Sequence, residues 1–159
     1  MAFIVRAFCT SDAVPALGQI FAWTNRHGFA LALGPVSADV PLDTPDWTVA
    51  EIVYAPGRQP FLCDVKRDSG RLAFVFRHEV EDFLERVTAL PPSPERERVL
   101  DHLRRTRYII ANEYLSDAEE DTYAAGGALL DYFVAHHGGL VHAEGEGFWL
   151  GETLLLPLP

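Results

Sequence analysis

The densest cluster of side chains able to do chemistry lies near the end of the sequence, in His136-His137-Gly-Gly-Leu-Val-His142-Ala-Glu144-Gly-Glu146. A strand running through it would turn His142, Glu144 and Glu146 to one face, because alternate strand residues share a face. One imidazole and two carboxylates so placed could hold a divalent metal for hydrolysis, with Glu113 or His137 completing the shell. Gly145 and Gly147 argue the other way, since they mark a turn that would scatter the carboxylates. The same spacing is also how a solvated strand face looks. Other catalytic signals are weaker. There is no G-x-S-x-G elbow, and Cys9 and Cys63 sit within apolar strand-like runs, where packed reduced thiols are expected. No glycine-rich phosphate loop follows a strand, and Gly126-Gly127 falls inside a helix, where small residues permit close packing. Glu79, Glu81, Asp82 and Glu85, with His78 and His102, read as solvated helix positions rather than an acid–base pair in a dry pocket. No cofactor is expected.

The acidic surface carries more weight. Glu113, Asp117, Glu119, Glu120 and Asp121 follow one another with no basic residue between them. A proline loop adds Asp39, Asp43 and Asp46, and the C-terminal segment adds Glu144, Glu146 and Glu152. The chain holds 13 basic and 23 acidic residues, a net charge of −10, which repels phosphate and argues against direct nucleic-acid binding. Such a field would steer a basic protein partner, although solubility alone also calls for net charge. The favoured reading is a non-catalytic binding protein that recognises a basic protein through an acidic and aromatic surface. Its expected contacts are Glu113, Asp117, Glu119, Glu120, Asp121, Trp47, Phe148 and Trp149, the last two of which could equally be core. Toxin neutralisation, as an immunity protein, is its most concrete form. The alternative is a small-molecule sensor with a pocket between two similar halves, lined by Trp23, Tyr54 or Tyr114 with Glu51 as a buried carboxylate. A metal-dependent hydrolase using His142, Glu144 and Glu146 is the third.

The elements that must position these residues follow from composition and pattern. The chain has 159 residues, 48% hydrophobic and 23% charged, which predicts a single domain over 1–159 with a real core. No run of about 18 uncharged apolar residues occurs, so no membrane span is expected. Arg6 interrupts the first apolar stretch, which argues against a leader and for the cytoplasm. Phe3 to Cys9 reads as a buried strand, and Thr10, Ser11 and Asp12 as caps of a helix reaching about His27, with Gly28 as its stop. A short strand over Phe29–Leu33 and a long loop to Asp46 precede a hairpin of Trp47–Tyr54 and Phe61–Arg67. A helix over Leu72–Leu90 ends at Pro91-Pro92, and Ser93 with Pro94 opens another. Tyr108–Leu115 is a strand, the S-D-A-E box at Ser116 opens a helix to His137, and Leu140–Glu144 with Trp149–Leu156 form a last hairpin.

F-I-V-R-A-F-C-T-S-D-A at Phe3–Ala13 aligns without gaps on Y-I-I-A-N-E-Y-L-S-D-A at Tyr108–Ala118, and both continue as a helix ending in His-Gly. The two stretches suggest halves of β-α-β-β form, about 1–68 and 107–159, joined by a helical pair over about 72–106. The fold class expected is therefore α+β: a mixed, mainly antiparallel sheet with helices packed on one face. This arrangement is similar, in topology only, to the duplicated strand-helix-strand-strand modules of GyrI-like ligand-binding proteins. The stretch from Trp47 onward, including F-R-H-E-V-E-D-F and G-E-G-F-W, also resembles an uncharacterised bacterial family of similar length. Neither likeness implies a site residue.

Overall fold

A computed structural model describes residues 2–159. The chain runs β1 (Phe3–Cys9), α1 (Leu17–Arg26), β2 (Ala32–Leu33), β3 (Val49–Val53), β4 (Phe61–Arg67), α2 (Ala73–Thr88), α3 (Pro94–Arg105), β5 (Tyr108–Tyr114), α4 (Glu120–His136), β6 (Leu140–Ala143), β7 (Gly147–Leu150) and β8 (Thr153–Pro157). The strands form one sheet in the order β2-β3-β4-β5-β1-β6-β7-β8. Every neighbouring pair is antiparallel, so the fold is α+β as expected but the sheet is not mixed.

The helices cover both faces of this sheet, where the sequence reading put them on one. Alternation along β1 sends Ala7 and Cys9 to one face and Phe8 to the other, and all three are fully buried. Ala7 and Cys9 share a core with Leu17 and Ile20 of α1, Leu129 and Phe133 of α4, and residues of β3, β4 and β5. Phe8 belongs to a second core with Phe76 and Phe83 of α2, Val99 and Leu103 of α3, and Ile109, Leu140, Phe148 and Leu156. Central strands apolar on both sides need cover on both sides, and the non-alternating F-I-V-R-A-F-C is the sequence mark of that. The two helix pairs are offset. The α1–α4 pair covers β3, β4, β5 and β1 on one face, and the α2–α3 pair covers β5, β1, β6, β7 and β8 on the other. Each face therefore keeps one half without a helix.

The two halves of the chain are not equivalent in the sheet. Each places three strands after its helix rather than two. In the first half the last of them, β4, returns to pair with β5; in the second the first, β6, pairs with β1. The extra strand arises at Gly151, whose φ of 61° turns what read as one strand, Trp149–Leu156, into β7 and β8. Two expected caps do not form. Ser11 bonds the His137 ring (Nδ1, 2.8 Å) and the Tyr108 hydroxyl (3.1 Å), tying the end of β1 to the end of α4, and α1 starts only at Leu17. The S-D-A-E box does not cap α4, which begins at Glu120 without a side-chain cap. Ser93 does cap α3, accepting from the Arg96 N–H at 3.0 Å.

Candidate functional site

His142, Glu144 and Glu146 do not converge. His142 faces inward beneath α2, fully buried, with its ring against Phe83 (4.6 Å between centroids) and Phe148 (4.9 Å). Glu144 bonds Arg6 at 2.6 Å, while Glu146, beyond the turn, accepts from the Trp149 indole N–H at 3.1 Å. No group of three histidine, cysteine or carboxylate side chains among the described residues could hold a metal. The glycine turn wins over strand alternation, and the hydrolase reading loses its site. The thiols Cys9 and Cys63 are free and buried, and burial pushes both up, which removes the thiolate a nucleophile needs.

Around His142 lies a charged network that sequence spacing hid. Arg6 of β1 pairs with Glu79 of α2 as well as with Glu144, and Lys66 of β4 reaches the other Glu79 oxygen at 2.6 Å. The Arg6 and Glu79 side chains are only 11% and 14% exposed, so each charge depends on the others for solvation lost on folding. Glu79 read as a solvated helix position; its partners come from strands far away in sequence. The network leaves two groups unsatisfied: both His142 ring nitrogens and Asp64 Oδ1 are buried without a hydrogen-bond partner. Burial, reinforced by Arg6, holds His142 down to about 4.

The expected partner surface separates into pieces. Trp47 is 4% exposed and donates to the Pro15 carbonyl (2.9 Å), and Phe148 is fully buried in the second core. Neither can be a surface contact; each side chain is too apolar to leave outside when a core lies within reach. Glu113 points to the α2 face, because Asn112 and Tyr114 beside it in β5 are buried toward α4. Asp117, Glu119 and Glu120 remain exposed at the start of α4, but Arg58 pairs with Glu119 and, at 3.1 Å, with Asp121. The expected sensor pocket separates too. Trp23 stacks on His27 and packs on Tyr132 and His136 between α1 and α4. Glu51 accepts from the Val36 N–H beside Gly34, and the Tyr54 hydroxyl meets Thr122 at 2.7 Å.

A groove does exist, on the uncovered half of the α4 face. Its volume is about 530 Å³. Tyr123, Leu130 and Val134 of α4 form one wall, Val141 and Ala143 of β6 the floor, and Trp149 with Leu150 the far side. Of the residues expected in sequence, Tyr114, Trp149 and Glu146 line it. The charged residues in its lining are Asp131 and Glu146, both acidic, and burial pushes Asp131 up. The readable signal was α4 itself: A-A-G-G-A-L-L-D-Y-F-V-A is apolar nearly all round, more than one covered face requires.

Fold and site together define an antiparallel α+β domain with helices on both faces and an apolar, acid-rimmed groove beside α4. No family model, no curated protein and no solved structure matches the chain. No helix among the described residues is long and apolar enough to cross a membrane.

Proposed function

We propose that this chain is a non-catalytic binding protein that holds a basic partner protein in the groove between α4 and β6–β7. The observation that carries this reading is the character of the groove: an apolar floor on a sheet half without a helix, with Asp131 and Glu146 as its charged residues. A partner segment that is apolar on one side and bears lysine or arginine at its edge would bury the floor and meet both carboxylates. The net charge of −10 would speed the approach of such a partner. Neutralising a basic toxin, as an immunity protein does, is the most concrete form of this role. Reduced, buried thiols suit the cytoplasm.

The test is affinity capture from lysate of the source organism, at low and high salt, with groove variants run in parallel. The expected result is a basic protein retained by the wild type at near-equal stoichiometry and released by salt. Val134→Arg and Asp131→Lys should lose it, while Glu119→Lys with Asp121→Lys should keep it. Retention by Val134→Arg, or loss only with the Glu119 and Asp121 changes, would move the interface out of the groove and overturn the reading.

A further inference from the structure

On the opposite face, the half of the sheet that α2 and α3 leave open holds a second concavity, distinct from the partner groove. It is a notch of about 590 Å³ between the first turn of α2 and the surface of β3 and β4. Its walls are apolar: Val49 is 50% exposed and Leu72 64% exposed, with Val75 beside them. Val49 and Asp64 are paired across β3 and β4, which puts a carboxylate on the apolar floor. That carboxylate makes no ion pair and no hydrogen bond among the described residues, and its Oδ1 is out of reach of solvent. The nearest cation along the strand, Lys66, is already held by Glu79 at 2.6 Å. At the rim, Arg71 is exposed and has no carboxylate partner among the described residues.

A buried polar group without a partner costs roughly 1–3 kcal/mol, and folded proteins leave few of them without a use. We propose that this notch binds a small zwitterion with an apolar body, its ammonium on Asp64, its body against Val49, Leu72 and Val75, and its carboxylate on Arg71. The ammonium would supply the donors that Asp64, which lines the notch, lacks. A plain cation fits less well, because Lys66 and Arg71 line the same space. An anion without an amine would leave Asp64 unpaired. The volume lies within the range of small-molecule sites.

Methyl NMR of the intact protein tests this with three probes: L-leucine, N-acetyl-L-leucine and 3-methylbutylamine. L-leucine at millimolar concentration should shift the methyl signals of Val49, Leu72 and Val75. N-acetyl-L-leucine, which has no ammonium, and 3-methylbutylamine, which has no carboxylate, should each bind at least tenfold more weakly. Asp64→Asn should lose the L-leucine response while its remaining methyl spectrum stays that of the folded wild type. Arg71→Ala, on the exposed rim, should weaken it with the fold unchanged. No shift with L-leucine, an unchanged response in Asp64→Asn, or tighter binding of the amine than of L-leucine would each overturn the proposal. None of these outcomes bears on the partner groove, whose variants lie on the other face.

Discussion

At the scale of single residues, His142 sets how the protein responds to acid. Burial, then Arg6 and least of all Arg86, disfavour its protonated form and lower it from its ordinary value near 6.5 to about 4, against an opposing pull from Glu144 that is weaker than that of Arg6. The unfolded chain takes up this proton first as pH falls. Stability is therefore intact above about 6.5 and declines as pH drops toward 4, by about 3 kcal/mol from this group. Burial also lowers His102 and His137, so they act in the same direction. His142→Phe should remove this group's share of the loss, and should not weaken the protein at pH 7, since it replaces two unpaired nitrogens with ring carbon among Phe83 and Phe148. Denaturant midpoints at pH 7 and pH 4.5 measure this. A pH slope unchanged in the variant would mean that His142 is not the sensitive group.

At the scale of elements, neighbouring glycines in α4 make an opposed pair. A β-carbon at Gly126 would overlap the Tyr114 hydroxyl, and the Gly126 carbonyl accepts from Asn112 Nδ2 at 2.9 Å. At Gly127 a β-carbon would meet open space. Gly126→Ala should destabilise by about 1–3 kcal/mol through overpacking. Gly127→Ala should stabilise by up to about 1 kcal/mol through helix propensity. Thermal unfolding of both variants decides, and shifts of the same sign would refute the packing account. The close approach at Gly126 was legible in sequence, although the same expectation fails at Gly127, which faces open space. The cap at Ser93, the helix after Leu72 and the paired strands around residue 57 were legible too, because each is written within a few neighbouring residues. The rest was not local. Nothing near Glu79 in sequence announces Arg6 or Lys66, nothing near Trp47 announces the Pro15 carbonyl, and which face a helix covers is decided by strands that arrive later. The acids from Asp117 to Asp121 were visible, while Arg58, which offsets them, comes from the distant turn between β3 and β4.

At the scale of the whole molecule, stability is graded across the sheet. The residues of β1 and β5 nearest the middle are buried on both sides, whereas β2 has two residues and one neighbouring strand. Amide hydrogen exchange should be slowest over Ala7–Cys9 and Ile109–Ala111 and fastest in β2 at Ala32–Leu33, because local opening costs least at a short edge. Slow exchange at β2, or fast exchange at Ile109–Ala111, would place the stable unit elsewhere.

The position of β1 in that sheet also has a kinetic meaning. It lies between β5 and β6, so Cys9 waits for Tyr108, and Phe8 for both Ile109 and Leu140. Contacts so distant along the chain close late, since loop entropy is lost before they form. During synthesis the strand F-I-V-R-A-F-C has neither neighbour until β5 emerges, although β2, β3 and β4 can already pair among themselves. An unpaired apolar strand is what templates association between chains. The nascent protein thus carries its greatest aggregation hazard in the segment that ends as the best-protected part of its interior.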